Sequence, residues 1–282
     1  MMRKTTLIAL SVFALSGLAD AAIDHGEWTM SSSAIPGRIQ FSITASGEGG
    51  QHWNSSSTWS TSDFHGLDWS TPGKHDIRFT IARDAGDIEC EGFLKNGEAA
   101  GLFTFKPNPQ YGSEMRRLGL AGFTPDEQFA FALHDVSLDF AREMKAARIE
   151  GLDAGKLIAF RIHGVSSDFV KDLHRLGYSH LDADKLIAFR IHGVSHEFIQ
   201  ALEKLGYPRL EPDQLIAFRI HGVSPEFVTQ LQALGYARPD AEQLVALRIH
   251  GVTPDYIQQL RSRGVQKLTL QQLVELRIHG IN

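Results

Sequence analysis

The chain has 282 residues, a formal net charge of −5 and a single cysteine, Cys90. That charge leaves no basic footprint, so nucleic acid is not an expected partner, and one cysteine excludes an internal disulfide. The length suits two ordinary domains of roughly 100 to 200 residues each.

Residues 1 to 21 have the grammar of a secretory signal: Arg3 and Lys4, an apolar run from Leu7 to Leu18, and Ala19-Asp20-Ala21 as a small-residue cleavage site. The run is shorter than the roughly 20 apolar residues that span a bilayer, and no later stretch approaches that length. The expectation is a periplasmic or secreted protein with no transmembrane segment.

Residues 22 to 106 hold all four tryptophans and alternate like strands. Ile39, Phe41 and Ile43 interleave with polar residues, as do Ile77, Phe79 and Ile81, and period two with one apolar face means half-buried strands. Asn96-Gly97 is a two-residue hairpin signal between Ile88 to Leu94 and Ala99 to Phe105. A small antiparallel sheet, sandwich or open barrel is expected, with Cys90 in its core. Between the strands lies a segment from Gly47 to Trp69, rich in Gly, Ser, Trp and His. Trp53, Trp59 and Trp69 either stack on sugar rings as a ligand-binding loop or are ordinary strand and core residues.

Lys106-Pro107-Asn108-Pro109 marks a boundary, because two prolines so close suit neither a helix interior nor a central strand. Residues 107 to 122 then form a linker and half-repeat. From 123 to 282 the chain repeats itself: LIAFRIHGVS occurs unchanged at Leu157 to Ser166, Leu186 to Ser195 and Leu215 to Ser224, a spacing of 29 residues. The phrase continues more loosely as LVALRIHGVT from Leu244 and LVELRIHGIN from Leu273, and a worn copy spans Phe123 to Gly151. A fixed period of this size predicts a repeat architecture.

Each unit reads as two short helices. The first starts at a cap such as Thr124, Asp153, Asp182 or Asp240 and stops at a glycine such as Gly164, Gly193, Gly222 or Gly251. Ser166, Ser195, Ser224 and Thr253 cap the second. The expected fold is therefore α+β: a small antiparallel β domain followed by an α-solenoid of helical hairpins. The array begins on one half-unit and ends on the complementary half, so head-to-tail self-association is a further expectation.

Two polar ladders run through the repeats. Projected on a helix, Arg161 falls inside the apolar arc of Leu157, Ile158, Phe160 and Ile162, an arc wide enough to predict a largely buried helix. Arg161, Arg190, Arg219 and Arg248 each have an acid seven residues on, Asp168, Glu197, Glu226 and Asp255, and pairing between them is the expected structural bridge. The second ladder, His134, His163, His192, His221, His250 and His279, falls outside the arc. It is either helix punctuation, since a histidine in the last turn complements the dipole, or the lining of a binding groove that titrates near neutrality.

Enzyme chemistry is not visible. There is no G-x-S-x-G, no phosphate-cradling glycine loop and no C-x-x-C, and His196-Glu197-Phe198-Ile199-Gln200 lacks the second histidine of a zinc-protease helix. No catalytic residue, metal or cofactor is expected. The RIHGV units, with the preceding FTF-x-PNP and RRLG segments, resemble over about 77 to 282 the repeat tails of some bacterial antibiotic-sensor-type membrane metallopeptidases and their stand-alone relatives. The resemblance implies the exported sensing or binding part without the protease. Repeats, export and the absence of enzyme motifs together make an envelope protein the expected partner.

Overall fold

The computed structural model describes residues 23–46 and 52–281. The signal-like segment and residues 47–51 of the Gly/Ser/Trp stretch lie outside the described residues. The chain divides into two compact units, Met1–Ala82 with Ile88–Lys106, and Arg83–Asp87 with Pro107–Asn282. Among the described residues no helix is long and apolar enough to cross a membrane.

Among the described residues the first unit is one six-stranded antiparallel sheet of β1 (His25–Ser32), β2 (Arg38–Ser46), β3 (His52–Ser60), β4 (His75–Arg83), β5 (Gly86–Lys95) and β6 (Glu98–Pro107), in the order β3-β2-β1-β6-β5-β4. Of the expected forms it is the single antiparallel sheet, and not a sandwich, that is found. It buries one face: Trp28 and Met30 from β1, Ile39, Phe41 and Ile43 from β2, Ile77, Phe79 and Ile81 from β4. Immediately after β3, a 3-10 turn (Thr61–Asp63) leads to His65, which exchanges two backbone hydrogen bonds of 2.9 Å with Thr80 of β4. The chain leaving one edge strand thus pairs with the strand at the other edge, and Phe64, Phe41 and Phe79 meet edge-on at centroid distances of 5.4 to 6.4 Å inside the curl. Trp28 fits because Gly92 and Gly101 face it without side chains; a Cβ on Gly101 would stand 2.7 Å from the indole and 1.9 Å from the carbonyl oxygen of Glu91.

Among the described residues the second unit contains twelve helices: α1 (Pro109–Arg117), α2 (Pro125–Leu133), α3 (Leu138–Ala146), α4 (Ala154–His163), α5 (Ser167–Arg175), α6 (Ala183–His192), α7 (His196–Lys204), α8 (Pro212–His221), α9 (Pro225–Ala233), α10 (Ala241–Ile249), α11 (Pro254–Ser262) and α12 (Leu270–Ile278). Even-numbered helices touch one another in succession from α2 to α12, and odd-numbered ones from α1 to α11, so the unit is two rows. Helices of nine or ten residues are marginal alone, and caps and packing sustain them. The Asp153 side chain accepts from the Lys156 N–H at 2.7 Å, and Ser166 accepts from the Phe169 N–H at 3.1 Å. Between them Gly164 is left-handed at φ 74°, which ends α4 and frees the chain to turn.

Burial on the even helices is narrower than the apolar arc suggests. In α4 the buried residues are Ala154, Leu157 and Phe160, while Ile158 is half-buried and Ile162 is exposed. At 100° per residue Ile162 sits roughly 140° around the helix from Leu157, away from the buried stripe. The largely buried inner helix expected from sequence is instead buried on one side only.

Candidate interaction surface

The repeated phrase is explained by what the arginine touches. Arg190 does not reach forward to Glu197. Its Nε donates to the His163 carbonyl at 3.3 Å, and its guanidinium lies over the Phe169 ring at 5.0 Å, both in the preceding hairpin. Arg219 repeats this on the His192 carbonyl (3.1 Å) and Phe198 (4.9 Å), and Arg248 on the His221 carbonyl (3.3 Å) and Phe227 (5.0 Å). Arg161 uses the His134 carbonyl at 3.1 Å and Phe140 at 5.1 Å, and adds the Asp135 carboxylate at 2.5 Å.

The expected forward pairing therefore does not form. Asp168 is 3.4 Å from Lys171, Glu197 and Glu226 turn to Ser195 and Ser224 at their own helix starts, and among the described residues neither they nor Asp255 pairs with its arginine. An exposed carboxylate offers about 1 kcal/mol or less. A free carbonyl at the negative end of a helix, with an aromatic face beside it, offers a charged group more at once. The same geometry accounts for the glycine: a Cβ on Gly164, Gly193 or Gly222 would stand 2.8 to 2.9 Å from the arginine of the next unit.

The histidines supply this staple through their backbones. Their imidazoles make no hydrogen bond or ion pair among the described residues. His134, His163 and His192 are half-buried, and His221, His250 and His279 are exposed. Burial, reinforced by the Arg161 charge, holds His134 near its neutral form with a pKa lowered to about 4. Burial also lowers His163. Among the described residues no three His, Cys, Asp or Glu side chains gather to hold a metal.

Beside each imidazole stands a residue that periodicity placed in the core. Ile162, Ile191, Ile220, Ile249 and Ile278 are 43% to 58% exposed. With Ile158 and Ala159 and their equivalents half-buried next to them in α4, α6, α8 and α10, they draw an apolar strip that runs on to α12, where Val274 is half-buried and an exposed Glu275 replaces the alanine. Neighbouring helices pack roughly 8 to 10 Å apart, so five isoleucines span roughly 35 Å. In the worn copy Leu133 takes the isoleucine's place and is buried, so the strip begins at α4. Lys185 bridges α6 to Asp213 of α8 at 2.5 Å, and Lys156 pairs likewise with Asp184, fixing the spacing of the row.

A further tie was missed from sequence. The Tyr178, Tyr207 and Tyr236 hydroxyls donate to the carbonyls of Leu210, Pro239 and Leu268 at 2.7, 2.7 and 2.9 Å, each reaching 32 residues along the chain. The signal was present: Leu-Gly-Tyr recurs every 29 residues at 176–178, 205–207 and 234–236. Burial raises the Tyr178 phenol to about 12.

Two of the three tryptophans stand in a strand and not in a loop. Trp53 and Trp59 belong to β3, opposite Ala45 and Ile39, and so share the inward face. Trp59 meets Phe41 at 5.5 Å and Phe64 at 5.9 Å, inside the aromatic cluster. Trp69 is half-buried beyond β3. Compared with protein-family models, curated proteins and solved structures, the chain matches none.

Proposed function

We propose that this is an exported, non-catalytic interaction protein, periplasmic or secreted, whose helical unit is a solenoid of 29-residue hairpins that binds a protein of the cell envelope. The observation that carries the reading is the strip of five exposed isoleucines in register along one row of helices. Exposed apolar patches of this extent mark interaction sites. Each isoleucine, about half exposed, has roughly 1 kcal/mol to gain from burial under a partner. The arginine, lysine and tyrosine ties hold successive helices in fixed register, so the strip is presented already ordered and a partner would not have to order it.

The histidines flank the strip and give it a polar rim. Substituting serine for Ile162, Ile191, Ile220 and Ile249 together tests the reading. The variant keeps its helical circular dichroism and loses the envelope protein that the parent crosslinks. Retention of that protein by the folded variant refutes it.

A further inference from the structure

The sheet has a second face, and its chemistry is unlike that of the aromatic interior. Facing outward and in register across three strands are Thr29, Ser42 and Ser56 in one row and Ser31, Gln40 and Thr58 in the next. They are already joined: the Ser42 and Ser56 hydroxyls are 2.7 Å apart, the Gln40 amide donates to Ser56 at 2.9 Å, and the Thr58 hydroxyl donates to the Gln40 carbonyl oxygen at 3.1 Å. A trough of about 540 Å³ runs from this lattice over β1 and β6 to β5. Its floor is low because Ala100 stands opposite Thr29. Its far wall is Phe93, 45% exposed, whose ring faces the Lys74 ammonium at 5.1 Å. Lys95 and Glu98 stand at the hairpin end of the trough, one positive and one negative.

We propose that this trough binds a neutral oligosaccharide. A sugar ring is amphipathic, with an apolar face of C–H groups and a rim of hydroxyls that both donate and accept. The trough offers one exposed aromatic face and a row of hydroxyl and amide groups with the same dual capacity. Other ligand classes fit less well. Lys95 is balanced by Glu98 and Lys74 is held against the Phe93 ring, so no cluster of cations gathers for a phosphate or sulfate, and a hydroxyl floor would leave a lipid chain on unpaired polar groups. Crossing from β2 to β5 covers three strand spacings, roughly 14 Å, which is long enough for more than one sugar ring. The volume also lies within the range of small-ligand sites. The aromatic platform is thus Phe93 of the β5–β6 hairpin, and the tryptophans Trp53 and Trp59 lie on the other face.

The test uses the full chain and four neutral tetrasaccharides, chitotetraose, cellotetraose, maltotetraose and laminaritetraose, in saturation-transfer NMR and titration calorimetry. At least one binds. Phe93→Ala weakens that binding by about tenfold or more, Thr29→Trp, which fills the trough, abolishes it, and Phe93→Tyr retains it. Leu102→Ala, an exposed β6 residue outside the trough, leaves it unchanged. The proposal is overturned if none of the four sugars binds, or if the bound sugar keeps its affinity within about twofold in folded Phe93→Ala and Thr29→Trp. Neither result touches the isoleucine strip, which belongs to the other unit.

Discussion

Removing the Arg219 side chain takes away two contacts at once. The stack on Phe198 at 4.9 Å is worth about 0.5 to 1 kcal/mol at a partly exposed site. The hydrogen bond from Nε to the His192 carbonyl at 3.1 Å adds about 1 kcal/mol. Arg219→Ala is therefore expected to cost about 1.5 to 2 kcal/mol in urea denaturation, and Arg219→Lys nearly as much, because an ammonium neither stacks flat nor presents the planar fork. The staple makes a sharper demand on Gly193. Alanine there pays the left-handed penalty at φ 72°, about 1 to 2 kcal/mol. Its Cβ also meets the Arg219 guanidinium at 2.8 Å, which must lift off Phe198 to make room. In an Arg219→Ala background only the backbone penalty remains. The double-mutant cycle should show Gly193→Ala costing about 1 kcal/mol less without the arginine than with it. Strict additivity would refute the claim that arginine and glycine form one device.

Three further outcomes follow from single contacts. His134 is neutral in the folded protein with a pKa of about 4 against an ordinary 6.5, so the unfolded chain takes up the proton first. The stability this neutral group supports is complete above pH 6.5, falls as pH drops toward 4 and is then level, a loss of up to about 3 kcal/mol; His134→Gln should flatten that part of a pH-dependent melting series, and an unchanged slope would contradict it. Tyr207→Phe leaves the Pro239 carbonyl without its 2.7 Å donor and should cost about 1 to 2 kcal/mol in urea denaturation, with no change disproving the tie. Gly101→Ala drives a methyl into the Glu91 carbonyl and the Trp28 ring, so it should cost about 3 kcal/mol or more and alter the near-ultraviolet dichroism of Trp28, and a parent-like melt would contradict the close approach.

The helices were legible because their ends are written in chemistry that acts locally. Asp153, Ser166 and Gly164 cap and stop where their side chains, or the lack of one, require, and the 29-residue period copies that grammar down the chain. The exception at a cap is α8, where Glu211 stands at the start in place of aspartate. Strand β3 was not legible. Asn54 to Thr58 offers no apolar alternation, and its place in the sheet comes from its pairing with β2, which no local signal encodes. The partners of the arginines were misplaced for a related reason. An acid seven residues ahead is visible in one unit, whereas the carbonyl and ring that the guanidinium uses belong to the unit before. Helical projection likewise put Ile162 in the core, because a period reports which residues share a face and not whether anything covers it.

The central claim is that the isoleucine strip is the partner-binding face. The most direct measurement is quantitative crosslinking of intact envelopes carrying the parent, the Ile162/Ile191/Ile220/Ile249→Ser variant, and a control variant with four alanines at exposed odd-helix positions Lys171, Gln200, Thr229 and Gln258. The account predicts one protein crosslinked by parent and control and lost from the serine variant, with all three melting alike. Equal crosslinking by the serine variant, or loss only in the control, would contradict it.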